Sequence, residues 1–153
     1  MKAIVSKAVG GPDTLVLEDL AEPQPGADEV RVRVRACGVN YPDTLIIEDR
    51  YQFKPERPFS PGGEVAGEID ALGSDVTELK VGDKVIALVG WGGMAEKVIT
   101  KATKCLPMPP KMPYDEAAAF IFTYGTSYYS LKQRAALRPG ESLLVLGAAG
   151  GVG

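Results

Sequence analysis

The glycine cluster near residue 150 has the residue types and spacing with the most specific chemical meaning in the chain. Four apolar residues, Leu143–Leu146, precede it, and Ala148, Gly150 and Gly153 follow a G-x-G-x-x-G spacing with Ala in the first position. In such a motif the first position makes a tight turn, the second lets a pyrophosphate approach the backbone, and the third lets a helix pack on the strand. The pattern therefore predicts a buried parallel strand that leads into a dinucleotide-binding turn, with phosphates at a helix N-terminus. Gly153 lies where that helix would begin.

Composition narrows the chemistry that the remaining residues could support. The 153 residues include 45% hydrophobic and 24% charged residues, which is typical of a chain with one good core. A net charge of −3 argues against a nucleic-acid partner. The chain has no histidine, which removes the usual general base and every Ser-His or Cys-His nucleophile.

Cysteine usage and hydropathy indicate a cytoplasmic protein. Cys37 and Cys105 lie far apart and form no C-x-x-C pair, so we expect reduced thiols rather than a disulfide. Residues 1–7 contain no apolar run of signal-peptide length, and no stretch is long enough for a membrane-spanning helix. We therefore expect no membrane insertion.

The first part of the chain has the period of β-structure. In the clearest strand, residues 29–36, valines alternate with arginines, so one face is apolar and the other basic. We interpret the basic face as a solvated outer face that pairs with acidic residues on neighbouring strands. Residues 37–47 read as a turn and a short helix, and 48–61 as an irregular loop. The strands predict an all-β barrel or sandwich. They cover residues 2–7, 14–18, 29–36, 62–73 and 94–100, and residues 80–88 read as a turn followed by a further strand.

The period changes after the proline-rich stretch 107–110. A helix is predicted from Tyr114, because acidic residues precede strong helix formers there. A second helix is predicted over Thr126–Leu137, ahead of the apolar strand and the glycine turn. Helix, strand and glycine turn in this order are typical of the start of a parallel nucleotide-binding sheet. We place the first domain at residues 1–112 and the second at 113–153.

Five blocks, taken in order, resemble the medium-chain dehydrogenase/reductase superfamily, and within it the zinc-independent NADPH:quinone oxidoreductases. They are Ala36–Asn40, Pro61–Gly67, Val81–Val85, Tyr124–Ser127 and Ala148–Gly153. The resemblance implies a mainly β fold with some α-structure: a GroES-like β-barrel catalytic domain followed by the truncated start of a Rossmann α/β domain. It also implies that the catalytic domain lacks its C-terminal part here and that the active site lies in the cleft between the two domains.

The same resemblance implies that the chain needs no zinc. Zinc alcohol dehydrogenases of this superfamily hold the catalytic metal with a Cys where this chain has Asn40 and a His where it has Gly63. Their four-cysteine lobe is also missing. Glu64 remains from the second metal motif, and one carboxylate cannot fill a tetrahedral site. Without a Lewis acid, hydride donation from NADPH suits an electron-poor acceptor, either a quinone or an activated double bond.

The resemblance also assigns roles to individual residues. Asn40 and Thr126 are expected near the nicotinamide ring, where an amide and a hydroxyl could hold it by hydrogen bonds. The backbone of four residues would line the pyrophosphate: Gly150, Gly151, Val152 and Gly153. Tyr51 lies where the related 2-enoyl thioester reductases place a catalytic tyrosine, so its phenol could donate a hydrogen bond or a proton. It could equally be a loop aromatic packed on the barrel.

Two further polar residues of this region receive structural interpretations. Asp43 is expected to cap the short helix after Pro42 rather than to act as a base. Cys37 is expected to fill buried space, because no histidine or cationic neighbour in sequence would lower its pKa.

Several functions remain open from the sequence. The leading hypothesis is the N-terminal part of an NADPH-dependent quinone or enone reductase that forms a homodimer when intact. The alternatives are a 2-enoyl thioester reductase, a non-catalytic GroES-like binding fragment, and a family member used structurally. We expect the 153-residue chain alone to be inactive and to bind NADPH poorly. Preference for NADPH over NADH depends on residues roughly twenty positions beyond the glycine motif, so NADPH is inferred from the resemblance.

Overall fold

A computed structural model describes all residues, 1–153, and its first two-thirds form antiparallel β-structure. Strands β1 (Lys2–Ser6) and β2 (Leu15–Asp19) pair with each other. Five more strands form one sheet in the order β6-β3-β4-β5-β7, with bounds β3 (Glu29–Gly38), β4 (Glu64–Leu72), β5 (Lys84–Leu88), β6 (Lys97–Lys101) and β7 (Cys105–Pro107). Isolated bridges at Ala3–Ala95 and Ser6–Phe59 join β1 to the segments that precede β6 and β4. The predicted mainly β architecture is confirmed, and β7 is a strand that sequence reasoning missed.

The alternation in β3 produces the expected division of its two faces. Val30 and Val32 are fully buried in the main core, together with residues of β4, β5 and β6. On the other face the Arg31 guanidinium donates to Asp70 at 2.7 Å, and Arg35 donates to Glu68 at 3.1 Å. The basic face therefore pairs with acidic residues of β4, as predicted, although the Arg31 side chain is only 12% exposed.

A short helix, α1 (Tyr41–Ile47), follows β3 and packs its end on the loop after it. Ile46 and Ile47 are buried in a small cluster with Phe59. Residues 48–58 contain no helix or strand, which agrees with the irregular loop predicted there. This loop carries Tyr51 back towards the start of α1.

Helix α2 (Tyr114–Ala118) packs on the barrel. Its Ala117 and Ala118 are buried against β3, β4 and β5, and the Tyr114 hydroxyl donates to Glu68 at 2.7 Å. The chain then continues as π-helical turns at Ile121–Gly125, α3 (Thr126–Tyr128) and further π-helical turns at Tyr129–Arg134. Helical structure ends at Arg134, three residues before the predicted end.

The predicted buried strand at Leu143–Leu146 is wrong for this chain. The segment forms no strand, and its four side chains are 52%, 81%, 46% and 84% exposed. A buried parallel strand needs parallel neighbours, and every strand pair in this chain is antiparallel. The apolar run therefore has no parallel sheet to join. None of the helices is long and apolar enough to cross a membrane.

Candidate active site

A hydrogen bond from its backbone N–H holds Asn40 at the junction between β3 and α1. The residue caps α1, and its N–H donates to the Asp43 carboxylate at 2.7 Å. The other Asp43 oxygen accepts the N–H of Gly62 at 3.1 Å, so one side chain ties the helix start to the chain before β4. Burial raises the pKa of Asp43, and the backbone N–H groups of Asn40, Gly62 and Gly63 oppose that rise. Asp43 is thus a structural cap, as predicted.

The side chain of Asn40 meets a second carboxylate, that of Glu64. Glu64 is fully buried at the start of β4, and its Oε1 accepts the Asn40 Nδ2 group at 3.0 Å. Its Oε2 accepts the backbone N–H of Phe122 at 3.0 Å. Space for the carboxylate depends on Gly38, because a Cβ there would lie 2.8 Å from Glu64 Oε1 and would clash with the carbonyl of Ala118.

Two cavities meet beside this hydrogen-bonded group. The smaller, about 50 Å³, is lined by Asn40 and Tyr51, among other residues. The larger, about 580 Å³, is lined by Thr126 together with residues of β5 and the π-helical turns. Both cavities are bordered by Gly63, Gly90 and Phe122. A Cβ on Gly63 would lie 3.0 Å from the Phe122 ring. Glycine at this position therefore lets the ring lie close to the backbone at the boundary between the two cavities.

Tyr51 has features of both interpretations offered from the sequence. It lines the small cavity with Asn40, and its ring meets that of Phe53 edge-on at a centroid distance of 5.4 Å. It also packs against the cluster that contains Ile46, Ile47 and Phe59. The phenol is therefore held at the cavity by the loop aromatics.

The glycine turn lies outside both cavities. Gly147 has a φ of +73°, and the Gly150 N–H donates to its carbonyl at 2.9 Å, which closes a tight turn. Ser127 follows Thr126 directly, and its hydroxyl donates a hydrogen bond to the carbonyl of Val152 at 3.2 Å. The structure thus places Gly150, Gly151, Val152 and Gly153 against the helical segment that carries Thr126, and does not bring them to Asn40.

Comparison with known proteins assigns the chain to a family. Residues 26–110 match the model of the alcohol dehydrogenase GroES-like domain. The chain belongs to this family. Over 154 residues it is 42% identical to quinone oxidoreductase-like protein 2 homolog from Nematostella vectensis, covering 99% of this chain and 42% of that protein. The resemblance to quinone oxidoreductases of the medium-chain superfamily is therefore confirmed.

Solved structures agree with this assignment. The chain superposes on the quinone oxidoreductase from Thermus thermophilus, which was solved also as its complex with NADPH, with a TM-score of 0.86 and 41% identity over 99% of this chain and 47% of that one. It superposes on the CurK enoyl reductase with a TM-score of 0.89 and 30% identity over 99% of this chain and 48% of that one. The chain spans about half the length of these relatives.

Within this GroES-like domain the thiols are poor nucleophiles. Burial, assisted by the charges of Asp43 and Glu64, raises the pKa of Cys37 to about 12. Burial raises the pKa of Cys105 to about 11. Both remain neutral thiols near pH 7, which agrees with the filler role predicted for Cys37.

Glu64 and Phe122 join the two sides of the site, which the sequence does not predict. In the sequence, Glu64 is only the remainder of a metal motif. A carboxylate directly before the apolar residues Val65 and Ala66 was the available signal, because such a residue on a buried strand must find donors. Nothing in the local sequence indicated that one donor would be Phe122, 58 residues away.

Proposed function

We propose that this chain is the N-terminal part of a zinc-independent oxidoreductase that transfers hydride from NADPH to a quinone or an activated double bond. The observation that carries the proposal is the pair of adjoining cavities, with Asn40 and Tyr51 on one side of Phe122 and Thr126 on the other. The relatives support it, since one of them was solved with NADPH. In this proposal residues 1–112 form the incomplete catalytic domain and 113–153 begin the cofactor domain.

The larger cavity fits the nicotinamide end of a dinucleotide. Its volume of about 580 Å³ falls within the ordinary range for small-ligand sites. Leu88 and Ile121 give it apolar walls suited to a flat ring, and Thr126 adds one hydroxyl for hydrogen bonding. NADPH, when bound, supplies the hydride. The protein's part is then to bind and orient: Thr126 holds the ring within this cavity, Asn40 holds it from the adjoining smaller cavity, and the backbone of Gly150–Gly153 accompanies the pyrophosphate.

The donor set around Asn40 supports independence from zinc. No three His, Cys, Asp or Glu side chains are grouped so that they could hold a metal ion. Glu64 already accepts two hydrogen bonds, from the Asn40 side chain and the Phe122 backbone. Stabilisation of charge on the reduced acceptor therefore falls to hydrogen-bond donors. Tyr51 is the hydroxyl that we assign to this task, through donation of a hydrogen bond or a proton.

A 2-enoyl thioester reductase is the second candidate. The position of Tyr51 in the same cavity as Asn40 favours it, because enoyl reduction leaves a carbon or oxygen that must be protonated. The similarity to the CurK enoyl reductase supports it further. The two candidates share the cofactor and differ in the acceptor, so one set of variants tests both.

The decisive experiment uses the longer protein that contains this chain. NADPH oxidation is followed with a simple quinone and with a 2-enoyl thioester, before and after treatment with a chelator. We expect turnover with one of the two acceptors and no loss after chelation. Absence of turnover with both acceptors contradicts the proposal and favours the non-catalytic binding fragment.

Tyr51→Phe tests the role of the phenol. It should lower kcat by about tenfold or more, because general acid catalysis typically contributes a factor of 10²–10⁴. Tyr41→Phe is the matched control, since Tyr41 is 72% exposed and lines neither cavity. Equal rates for the two variants contradict the role of Tyr51. The 153-residue chain alone should show no turnover, and micromolar binding of NADPH by it would contradict our expectation.

A further inference from the structure

Glu64 is a buried carboxylate without a cationic partner. Its side chain is fully buried, and it takes part in none of the chain's salt bridges. Its two hydrogen-bond donors, the Asn40 amide and the Phe122 backbone N–H, are both neutral. A buried polar side chain of this size is a costlier way to fill a core than an apolar one of the same volume. Its presence therefore points to a role other than stability.

The carboxylate selects one of two orientations of the Asn40 side chain. An asparagine amide has nearly the same shape after a half-turn, but the turn exchanges its acceptor oxygen and its donor nitrogen. Both Glu64 oxygens accept hydrogen bonds, one from the Asn40 side-chain amide and one from the Phe122 backbone. The Asn40 NH₂ group must therefore face Glu64, and its carbonyl oxygen must point away. Reversal would place two acceptor oxygens about 3 Å apart.

The second carboxylate oxygen fixes the other side of the site. It holds the N–H of Phe122, which borders both cavities and lies four residues before Thr126. One rigid side chain on β4 therefore sets the position of the barrel residue Asn40 relative to the helical turns that carry Thr126. Gly38 supplies the space for it.

We propose that Glu64 is a positioning residue, which fixes the polarity of the Asn40 amide and its distance from the Thr126 segment. The proposal rests on the proposed function for the identity of the ligand. The orientation of the Asn40 amide does not depend on that function. Glu64→Gln should reverse the amide. The new side chain has one acceptor, which Phe122 N–H requires, so its NH₂ group would face Asn40 and draw the Asn40 oxygen towards it.

The orientation can be measured directly, because Asn40 is the only asparagine in the sequence. Selective ¹⁵N labelling of asparagine gives one side-chain NH₂ group, with one proton shifted downfield by the carboxylate. We expect Glu64→Gln to remove that shift while the Phe122 N–H stays protected from exchange. Glu68→Gln is the matched control: it lies on the same strand and accepts from Tyr114 and Arg35, away from both cavities. An unchanged Asn40 signal in Glu64→Gln overturns the proposal.

The functional consequence is measured in the longer protein. Glu64→Gln should weaken NADPH binding and lower kcat/KM by about ten- to hundredfold, the range expected when a ligand-holding group is misplaced. Glu68→Gln should leave both unchanged. If the wild type turns over and Glu64→Gln matches it despite a reversed amide, the positioning role is wrong and the proposed function stands. If the wild type does not bind NADPH, the proposed function is wrong, and the NMR result alone decides the orientation.

A double variant with the two groups exchanged distinguishes a lost interaction from misfolding. In Asn40→Asp alone, two carboxylates face each other, which should be destabilising. Asn40→Asp combined with Glu64→Gln restores a donor facing an acceptor and an acceptor for Phe122 N–H. We expect the double variant to recover the thermal stability lost in Asn40→Asp. Additive losses in the double variant would show that the two side chains do not act as a pair and would overturn the proposal.

Discussion

The barrel, residues 1–107, and the segment that follows α2, residues 119–153, differ in how they use apolar side chains. The barrel buries eight residues, most of them valines, in one cluster across β3, β4, β5, β6 and β7. In the segment 119–153 no residue is buried, although its hydrophobic runs are equally strong. Apolar composition alone therefore does not create a core. A core also requires a partner surface within the chain, and backbone groups that can pair.

The clearest test of this contrast removes one large aliphatic side chain from each region. Ile69 is 1% exposed in the barrel, and Leu144 is 81% exposed after the last helical turn. Ile69→Ala should lower the free energy of unfolding by about 2–5 kcal/mol through lost burial and the cavity it leaves. Leu144→Ala should change it by no more than about 0.5 kcal/mol. Urea titration measures both, and equal effects would contradict the described difference.

The next largest effect on stability is expected where the backbones of β3 and β4 approach each other closely. A Cβ on Gly67 would clash with the carbonyl of Arg33 and lie 2.8 Å from Val32 Cγ1, whereas one on Gly11 meets nothing within 4 Å. Gly67→Ala should therefore destabilise the protein by about 1–3 kcal/mol, as overpacking does. Gly11→Ala serves as the control and should be nearly neutral. Similar thermal midpoints for the two variants would show that β3 and β4 are less closely packed than described.

The charged face of the barrel should make the smallest contribution, and one that depends on pH. Burial alone would raise the pKa of Asp70, but hydrogen bonds from Arg31 and Lys97 outweigh it and hold the pKa below its usual value. The stabilisation is therefore present above about pH 4, the ordinary pKa of Asp, and is lost as pH falls through the lower folded value. Asp70→Asn should cost about 1 kcal/mol at pH 7.

The pH profile of unfolding decides this prediction. The difference between wild type and Asp70→Asn should shrink below about pH 4. Asp28→Asn removes a carboxylate that is 62% exposed and paired with Lys101, so it should have little effect at any pH. A difference for Asp70→Asn that stays constant down to about pH 2 would show that packing, rather than charge, is responsible.

Features set by neighbouring residues could be predicted from the sequence. The alternation of Val30 and Val32 with arginines predicted β3 and acidic partners on neighbouring strands, and the position of Asp43 next to Pro42 predicted its role as a helix cap. Features set by distant residues could not. The exposure of Leu143–Leu146 depends on the lack of a parallel neighbouring strand, and the hydrogen bond from Phe122 to Glu64 depends on how α2 lies on the barrel.

The dependence of the barrel on residues beyond its last strand also bears on the order of folding. A growing chain that has reached residue 112 already contains every strand, but it lacks Ala117 and Ala118, which fill the core against β3 and β4. It also lacks the Phe122 N–H, so the carboxylate of Glu64 has only one of its donors. Contacts that close long loops form late because the loop entropy must be overcome first. Synthesis past residue 122 is therefore the point at which these contacts of α2 and Phe122 with the strands can form.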